Sequence, residues 1–516
     1  MQIEKEYTVG REINTLRCES VGEYSLPDYN GDVKKVLLVK TQVFPSGKFV
    51  GDDLLEFSGS VGYEVVYVDG ENNITHSEFS TDYEAAVKIN SENYVDSDVK
   101  TVVSSYNMRL VGPRKFSVKC SLESDVRISE RREHSIDGDS FMEYEPEYTS
   151  TTANVYTSAF ASGETREINE EILTIEGAIA DEVEVLLCDV RPDVAVSERT
   201  DSSATVKGNL KVDILYKNAD NSLKRAEKDI QYSEEMSLDS ADDFDSIDLR
   251  IDMINKKATV VPIEDGVALN VSVSVNPKLY GKRNGTLNLV TDLYLKERGT
   301  DNTYSEFGYT EYICTESCRD EVSASYPLSE LDAEGVTDVI SADATLHSEK
   351  CEITDEGVKI SGEIRFSAIA CQVSEEGERT YLPVKFSEPY EYNVNVSCQI
   401  HDNMRANCSA WIENVKMDID EGSVVATGEV VAFVSLLADR RQRCLGASYA
   451  TDEEYNSDDS VVTVYYPDSS ESLFEIAKKF HTSVSAIAES NRLTEAVFAS
   501  FDEPVSASGV TKLLIK

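Results

Sequence analysis

Two groups of residues in this 516-residue chain have types and spacings that could do chemistry. Cys314 and Cys318 stand four apart, and His347 and Cys351 follow as a second close pair. Two such pairs of N and S donors are what a tetrahedral zinc site asks for. The second group lies near the C-terminal end, where Tyr466, Ser470, Glu471, Phe474, Lys478 and Lys479 gather aromatic, acidic and basic side chains around one short segment. Aromatic anchors ringed by charge suit capture of a protein partner. The five histidines (His76, His134, His347, His401, His481) lie far apart, and none sits in an HExxH or GxSxG setting. The expectation is therefore no catalytic residue, no cofactor and no enzyme. The acidic turns DYNGD (28–32) and DIDEG (418–422) lack the twelve-residue loop with its terminal Glu that holds calcium, so both read as plain turns.

Composition narrows the classes further. The chain has 49 Lys and Arg against 96 Asp and Glu, a net charge of −47, with 41% apolar residues. That apolar share supports packed cores rather than a disordered acidic tail. Sequence-independent nucleic-acid binding needs clustered cations, and so does docking on an anionic membrane surface. Apolar runs such as Val430–Val434 fall far short of the roughly 20 residues of a membrane-spanning helix. The opening residues MQIEKEYTVG have neither the basic nor the apolar region of a secretory signal. The expected setting is the cytoplasm, with ten cysteines as reduced, mostly buried thiols.

The elements that would position these residues repeat along the chain. Segments starting at Ser58, Lys207 and Ser361 align on Gly59, Gly208 and Gly362. After each glycine runs an alternating face: Val61/Tyr63/Val65/Tyr67, Leu210/Val212/Ile214/Tyr216 and Ile364/Phe366/Ala368/Ala370. Period two predicts half-buried strands near 61–68, 210–216 and 364–370, with the tyrosines packed inward. A polar turn and a return strand complete a hairpin each time. The repeat predicts three β modules, at 1–144, 145–300 and 301–450, of sandwich type. A short helix is allowed where the lead meets the first strand, as at EINEEIL near Glu167. In the second copy, the stretch matching the first cysteine pair is TSAFASGET (157–165), without ligands. No metal site is therefore expected.

Residues 451–460 (TDEEYNSDDS) read as an acidic linker. Beyond it Leu473, Ile476, Ala477 and Phe480 form a helical stripe, with Ser472 and Glu475 spaced as a capping box. A second helix at 483–491 and flanking strands VVTVYY and KLLIK give a strand–helix–helix–strand unit over 461–516. Phe474, Lys478 and Lys479 lie off that stripe and are read as its outward face.

The run SLFEIAKKF with the second helix and the closing GVTKLLI resembles a LysM domain. That resemblance implies two helices on a two-stranded sheet and a ligand containing N-acetylglucosamine. Where the family carries Gly-Asp, this chain has Ser470-Glu471, and its last connection carries Asp502-Glu503. The whole chain resembles SipL-type proteins, in which β-rich SPOCS repeats precede a LysM domain; SLPDYNGDVKKVLLV (25–39) matches the repeat's opening. The resemblance implies a mainly β protein of three homologous sandwich-like modules and a small βααβ LysM domain. It implies a non-enzymatic scaffold of spore coat assembly at the forespore surface, on the mother-cell side. Its partner would be a SpoIVA-like ATPase of the coat base layer, held through LysM. The alternative is an envelope protein that binds peptidoglycan.

Overall fold

The computed structural model describes residues 4–28, 30–138, 140–455, 462–468, 471–493 and 511–515. The chain is mainly β, and the same arrangement of sheets recurs along it. Six strands open the chain: β1 (Glu4–Ser25), β2 (Val33–Gly51), β3 (Leu54–Asp69), β4 (Ile74–Lys88), β5 (Tyr94–Gly112) and β6 (Lys115–Ser135). They form two three-stranded sheets, β1-β6-β5 and β2-β3-β4. The next set is β7 (Glu147–Ser162), β8 (Arg166–Glu176), β9 (Glu184–Arg199), β10 (Ser203–Lys217), β11 (Leu223–Ser237), β12 (Ser246–Ile263) and β13 (Gly266–Tyr294). Here β9-β10-β11 faces β12-β13-β7, and β8 extends the pairing along β13. The third set is β14 (Arg298–Pro327), β15 (Val336–Thr354), β16 (Gly357–Val373), β17 (Arg379–Val394), β18 (Met404–Asp420) and β19 (Ser423–Glu454). Its sheets are β14-β19-β18 and β15-β16-β17. All the pairings between strands are antiparallel among the described residues, and an isolated bridge between Asp137 and Ala447 is parallel.

Alternation explains the sandwiches. The central strands β3, β10 and β16 each bury one side chain in two, and Tyr63, Val212 and Phe366 are all buried. These faces fill three apolar cores, one between each pair of sheets. Glycine at the start of each face has a steric reason in two copies. A Cβ on Gly208 would run into the Asp193 carbonyl oxygen of β9, and one on Gly59 would sit 2.5 Å from the Phe44 carbonyl oxygen of β2. The neighbouring backbone passes too close for any side chain.

Two expectations need correction. EINEEIL is not helical: it lies in β8, where Ile168 pairs with Val273 and Glu167 with Ser274. Ile168, Ile172 and Ile175 pack on the second core, so burial against β13 outweighs the helical spacing of its charges. Nor are all ten cysteines thiols. Cys351 of β15 is bonded to Cys408 of β18, joining the two sheets of the third set at their adjacent edges. The other eight are free.

Each set of strands touches both others. Strand β4 lies against β9, β11 against β15, and β17 against β2, so the same relation carries each set to the next and then back to the first. This is a head-to-tail contact that closes into a ring of three. At the junction Leu37, Leu38 and Val66 meet Leu186, Leu187 and Leu215, then Ile369, Cys371 and Tyr381, in one apolar cluster. Val66, Leu215 and Ile369 each lie seven residues after the aligned glycine.

The C-terminal unit is β20 (Thr463–Tyr465), α1 (Leu473–Lys479), α2 (Val484–Asn491) and β21 (Leu513–Ile515), with β20 and β21 paired. Ser472 accepts from the Glu475 amide at 3.2 Å, and Glu475 accepts from the Ser472 amide at 2.9 Å, so the capping box forms.

Candidate functional site

Beside the apolar junction, three equivalent strand positions hold Lys40, Asp189 and Asp343, which face Glu64, Asp213 and Ser367 in the pairing register. The Lys40 Nζ lies 2.8 Å from Asp189 and 3.5 Å from Asp343, and Arg191 adds a contact to Asp189 at 2.8 Å. Burial opposes charge on Asp189, but Lys40 and Arg191 outweigh it and hold the carboxyl far below the usual carboxylate range. Burial likewise opposes the Lys40 ammonium, and the two aspartates more than restore it.

A second network joins the outer faces of the other sheets. Arg250 makes two bonds to Asp98, at 2.9 and 2.8 Å, linking β12 to β5. Asp248 receives Arg127 at 3.2 Å and Lys282 at 2.8 Å. Burial raises Asp98 and Asp248, yet the facing cations win and both end below the ordinary value. Glu12 of β1 accepts from Tyr156 at 2.7 Å, from Tyr280 at 3.1 Å, and from Asn407 of β18. One carboxylate thus draws on all three sets of strands.

Between these networks lies a cavity of about 1430 Å³, whose walls include Lys40, Asp189, Asp343, Arg127, Asp248 and Lys282. Among the described residues, eleven of the chain's 49 Lys and Arg line it, but only eight of its 96 Asp and Glu. The cavity wall is therefore basic in a strongly acidic protein. Trp411, the only tryptophan, stacks on Phe433 with ring centres 5.7 Å apart in that wall. Both are 40% exposed. Sequence reasoning missed this site because its residues come from strands hundreds of positions apart. The one available signal was the polar alternate face of strands such as DVKKVLLVKTQ.

The residues singled out in the sequence are distributed differently. His347 bonds Thr345 at 2.6 Å and the Ser104 carbonyl, and Cys351 is committed to Cys408. Cys314 faces Cys398 at 3.9 Å. The structure therefore does not gather Cys314, Cys318, His347 and Cys351 into one site. His481 sits in a turn with φ 51° and stacks on Tyr455.

In the C-terminal unit the expected outward face splits in two. Phe474 is 4% exposed and packs edge-on against Tyr294 of β13, with ring centres 5.2 Å apart. Lys478 bonds Asp292 at 2.6 Å, and the Tyr294 hydroxyl donates to the Thr482 carbonyl at 2.6 Å. These two residues face the β body rather than solvent, because the end of β13 supplies both an aromatic ring and a carboxylate. Tyr466 is 69% exposed. Glu471 accepts from Tyr465 at 2.7 Å and from the Asp468 amide at 2.9 Å, with Lys479 at 2.8 Å from the same hydroxyl. Those bonds hold the Glu471 carboxyl below its usual value. Ser470, Asp502 and Glu503 lie outside the described residues.

These features define a mainly β protein of repeat-like sandwich character with a small mixed α/β unit at its end. No known family, curated protein or solved structure matches the chain.

Proposed function

We propose that the protein is a non-enzymatic scaffold whose three homologous β modules form a stiff body and whose C-terminal unit, of LysM type, docks on a protein partner. The partner suggested by the SipL-type resemblance is a SpoIVA-like ATPase of the spore coat base layer, at the forespore surface. The observation that carries the reading is how the C-terminal unit is held. Phe474 and Lys478 fix it to β13 through Tyr294 and Asp292, while Tyr466 and Lys479 keep exposed surface. A fixed head loses little orientational freedom on binding, which favours capture by a rigid assembly. The Tyr465–Glu471–Lys479 group also places charge beside Tyr466, as a polar rim around an aromatic anchor.

The test uses the full chain with the purified base-layer ATPase. Tyr466→Ala is expected to weaken capture by roughly 1–3 kcal/mol without changing thermal stability. Lys479→Glu is expected to weaken it in the same direction. Binding of chitin oligomers at micromolar concentration, with no capture of the ATPase, would replace this reading by the peptidoglycan-binding one.

A further inference from the structure

Cys314 and Cys318 cannot act together: four strand positions at about 3.3 Å each hold them roughly 13 Å apart on β14. Cys314 has another neighbour. Its sulfur lies 3.9 Å from that of Cys398, and both thiols are free and half-buried. Cys398 belongs to the connection that leads from β17 to β18. Two bonds dock that connection on β14, because the Ser397 amide and hydroxyl both donate to Glu316, at 3.3 and 2.5 Å. The facing thiols are thus held together by contacts other than their own.

The third sandwich has two margins where its sheets meet, β15 against β18 and β14 against β17. The Cys351–Cys408 bond crosses the first. Cys314 and Cys398 stand at the second. The two sites lie at nearly the same height in the sheet β14-β19-β18: Cys314 is opposite Leu436 and Cys408 opposite Val434, neighbours on one face of β19. All four cysteines pack on the same core. One margin is closed by a covalent bond, and the other holds the two atoms that a matching bond would join. Forming it asks for a movement of roughly 2 Å, which a connection makes more readily than a paired strand.

We propose that Cys314 and Cys398 are a modification site, a thiol pair that a low-molecular-weight disulfide oxidises to a second cross-link, closing the third sandwich at both margins. Burial, and then the neighbouring Cys398 sulfur, push the Cys314 thiol up, which leaves the first attack to Cys398. Cys398 loses its proton, and its sulfur attacks one sulfur of the small disulfide, whose S–S bond breaks and releases a small thiolate. The Cys314 thiolate then attacks Cys398 in the mixed disulfide, forming the Cys314–Cys398 bond and releasing the second small thiolate. Two electrons pass from the protein pair to the small disulfide, and the two protons given up by the protein end on the two small thiols.

The experiment incubates the full chain with oxidised glutathione, alkylates the remaining thiols in mildly acidic denaturant, and maps unreduced peptides by mass spectrometry. The expected product has Cys314 joined to Cys398, with the buried Cys120, Cys188 and Cys444 still alkylated as thiols. Cys314→Ser is expected to stop at a glutathione adduct on Cys398, since no second thiol is left to resolve it. Glu316→Ala frees the connection and is expected to slow the link roughly fivefold. Thiols left intact at both positions would overturn the proposal. So would an adduct on Cys398 of the parent chain that never proceeds to the link, or a link from Cys314 to any other cysteine.

Discussion

At the scale of single residues, charge at the ring's centre decides more than charge on its surface. Lys40→Met removes the cation that bridges Asp189 and Asp343, leaving the two half-buried carboxylates close together with Arg191 as the one direct ion-pair partner among the described residues, on Asp189. The expected cost is roughly 3–5 kcal/mol, read from the urea midpoint. Neutralising all three positions together, as K40M/D189N/D343N, is expected to cost less than the single change, because the one charge then left without its partner is Arg191, which is more open to water than the aspartates. Glu184 gives a pH signature. Burial pushes its carboxyl up, but His76 and Lys217, at 3.1 and 2.5 Å, pull it down to about 2. The folded form therefore binds the proton less readily than the unfolded chain. The resulting stabilisation is complete above about pH 4.5 and lost as pH falls toward 2. Glu184→Gln should flatten that part of the stability profile, and a variant losing stability as steeply as the parent between those limits would contradict the assignment.

At the scale of elements, local pattern was a good guide to strands and a poor one to contacts. Period-two faces marked β3, β10 and β16 because each buries one side chain in two, and the Ser472/Glu475 spacing marked the start of α1 because capping is local chemistry. EINEEIL misled, since its isoleucines fit a helix as well as a strand and only β13 decides between them. Phe474 misled for the same reason: its helix position is legible, but Tyr294, 180 residues earlier, is not. Phe474→Ala is expected to cost roughly 3–5 kcal/mol of C-terminal packing and to loosen the unit from β13. Protease cleavage near residue 480, faster than in Tyr466→Ala, would report it. Gly208→Ala tests the aligned glycine. The added methyl group meets β9 backbone, which cannot rotate away, so a loss of roughly 1–3 kcal/mol is expected.

At the scale of the whole molecule, the ring of three is held where the sandwiches meet as well as where they are individually packed. Leu187→Asp puts a carboxylate into the shared apolar cluster while leaving the second sandwich's own core untouched. The expected result is a larger radius of gyration by small-angle scattering with the β circular dichroism signal retained. An unchanged radius would mean that the junction does not hold the ring closed. This level was the least legible in the sequence. Composition gave a uniformly acidic chain, and the basic cavity wall emerges only when Lys385, Arg199 and Arg250 are brought in from three separated stretches. The aligned glycines revealed that the sandwich recurs, but nothing local encodes the contact of β17 with β2 that returns the third set to the first.

The mixed occupancy of the central position, one lysine and two aspartates, disfavours an option. Three copies of any one of these segments would bring three like charges to the same point: three ammonium groups from the first, or three carboxylates from the second or third. Each segment would therefore assemble with itself less readily than with its neighbours, the second under the smallest penalty because Arg191 accompanies Asp189. Their order along the chain acts as a fixed address, and an exchange of whole segments between two such chains would be tolerated only where the lysine-bearing one returns to a place opposite both aspartates.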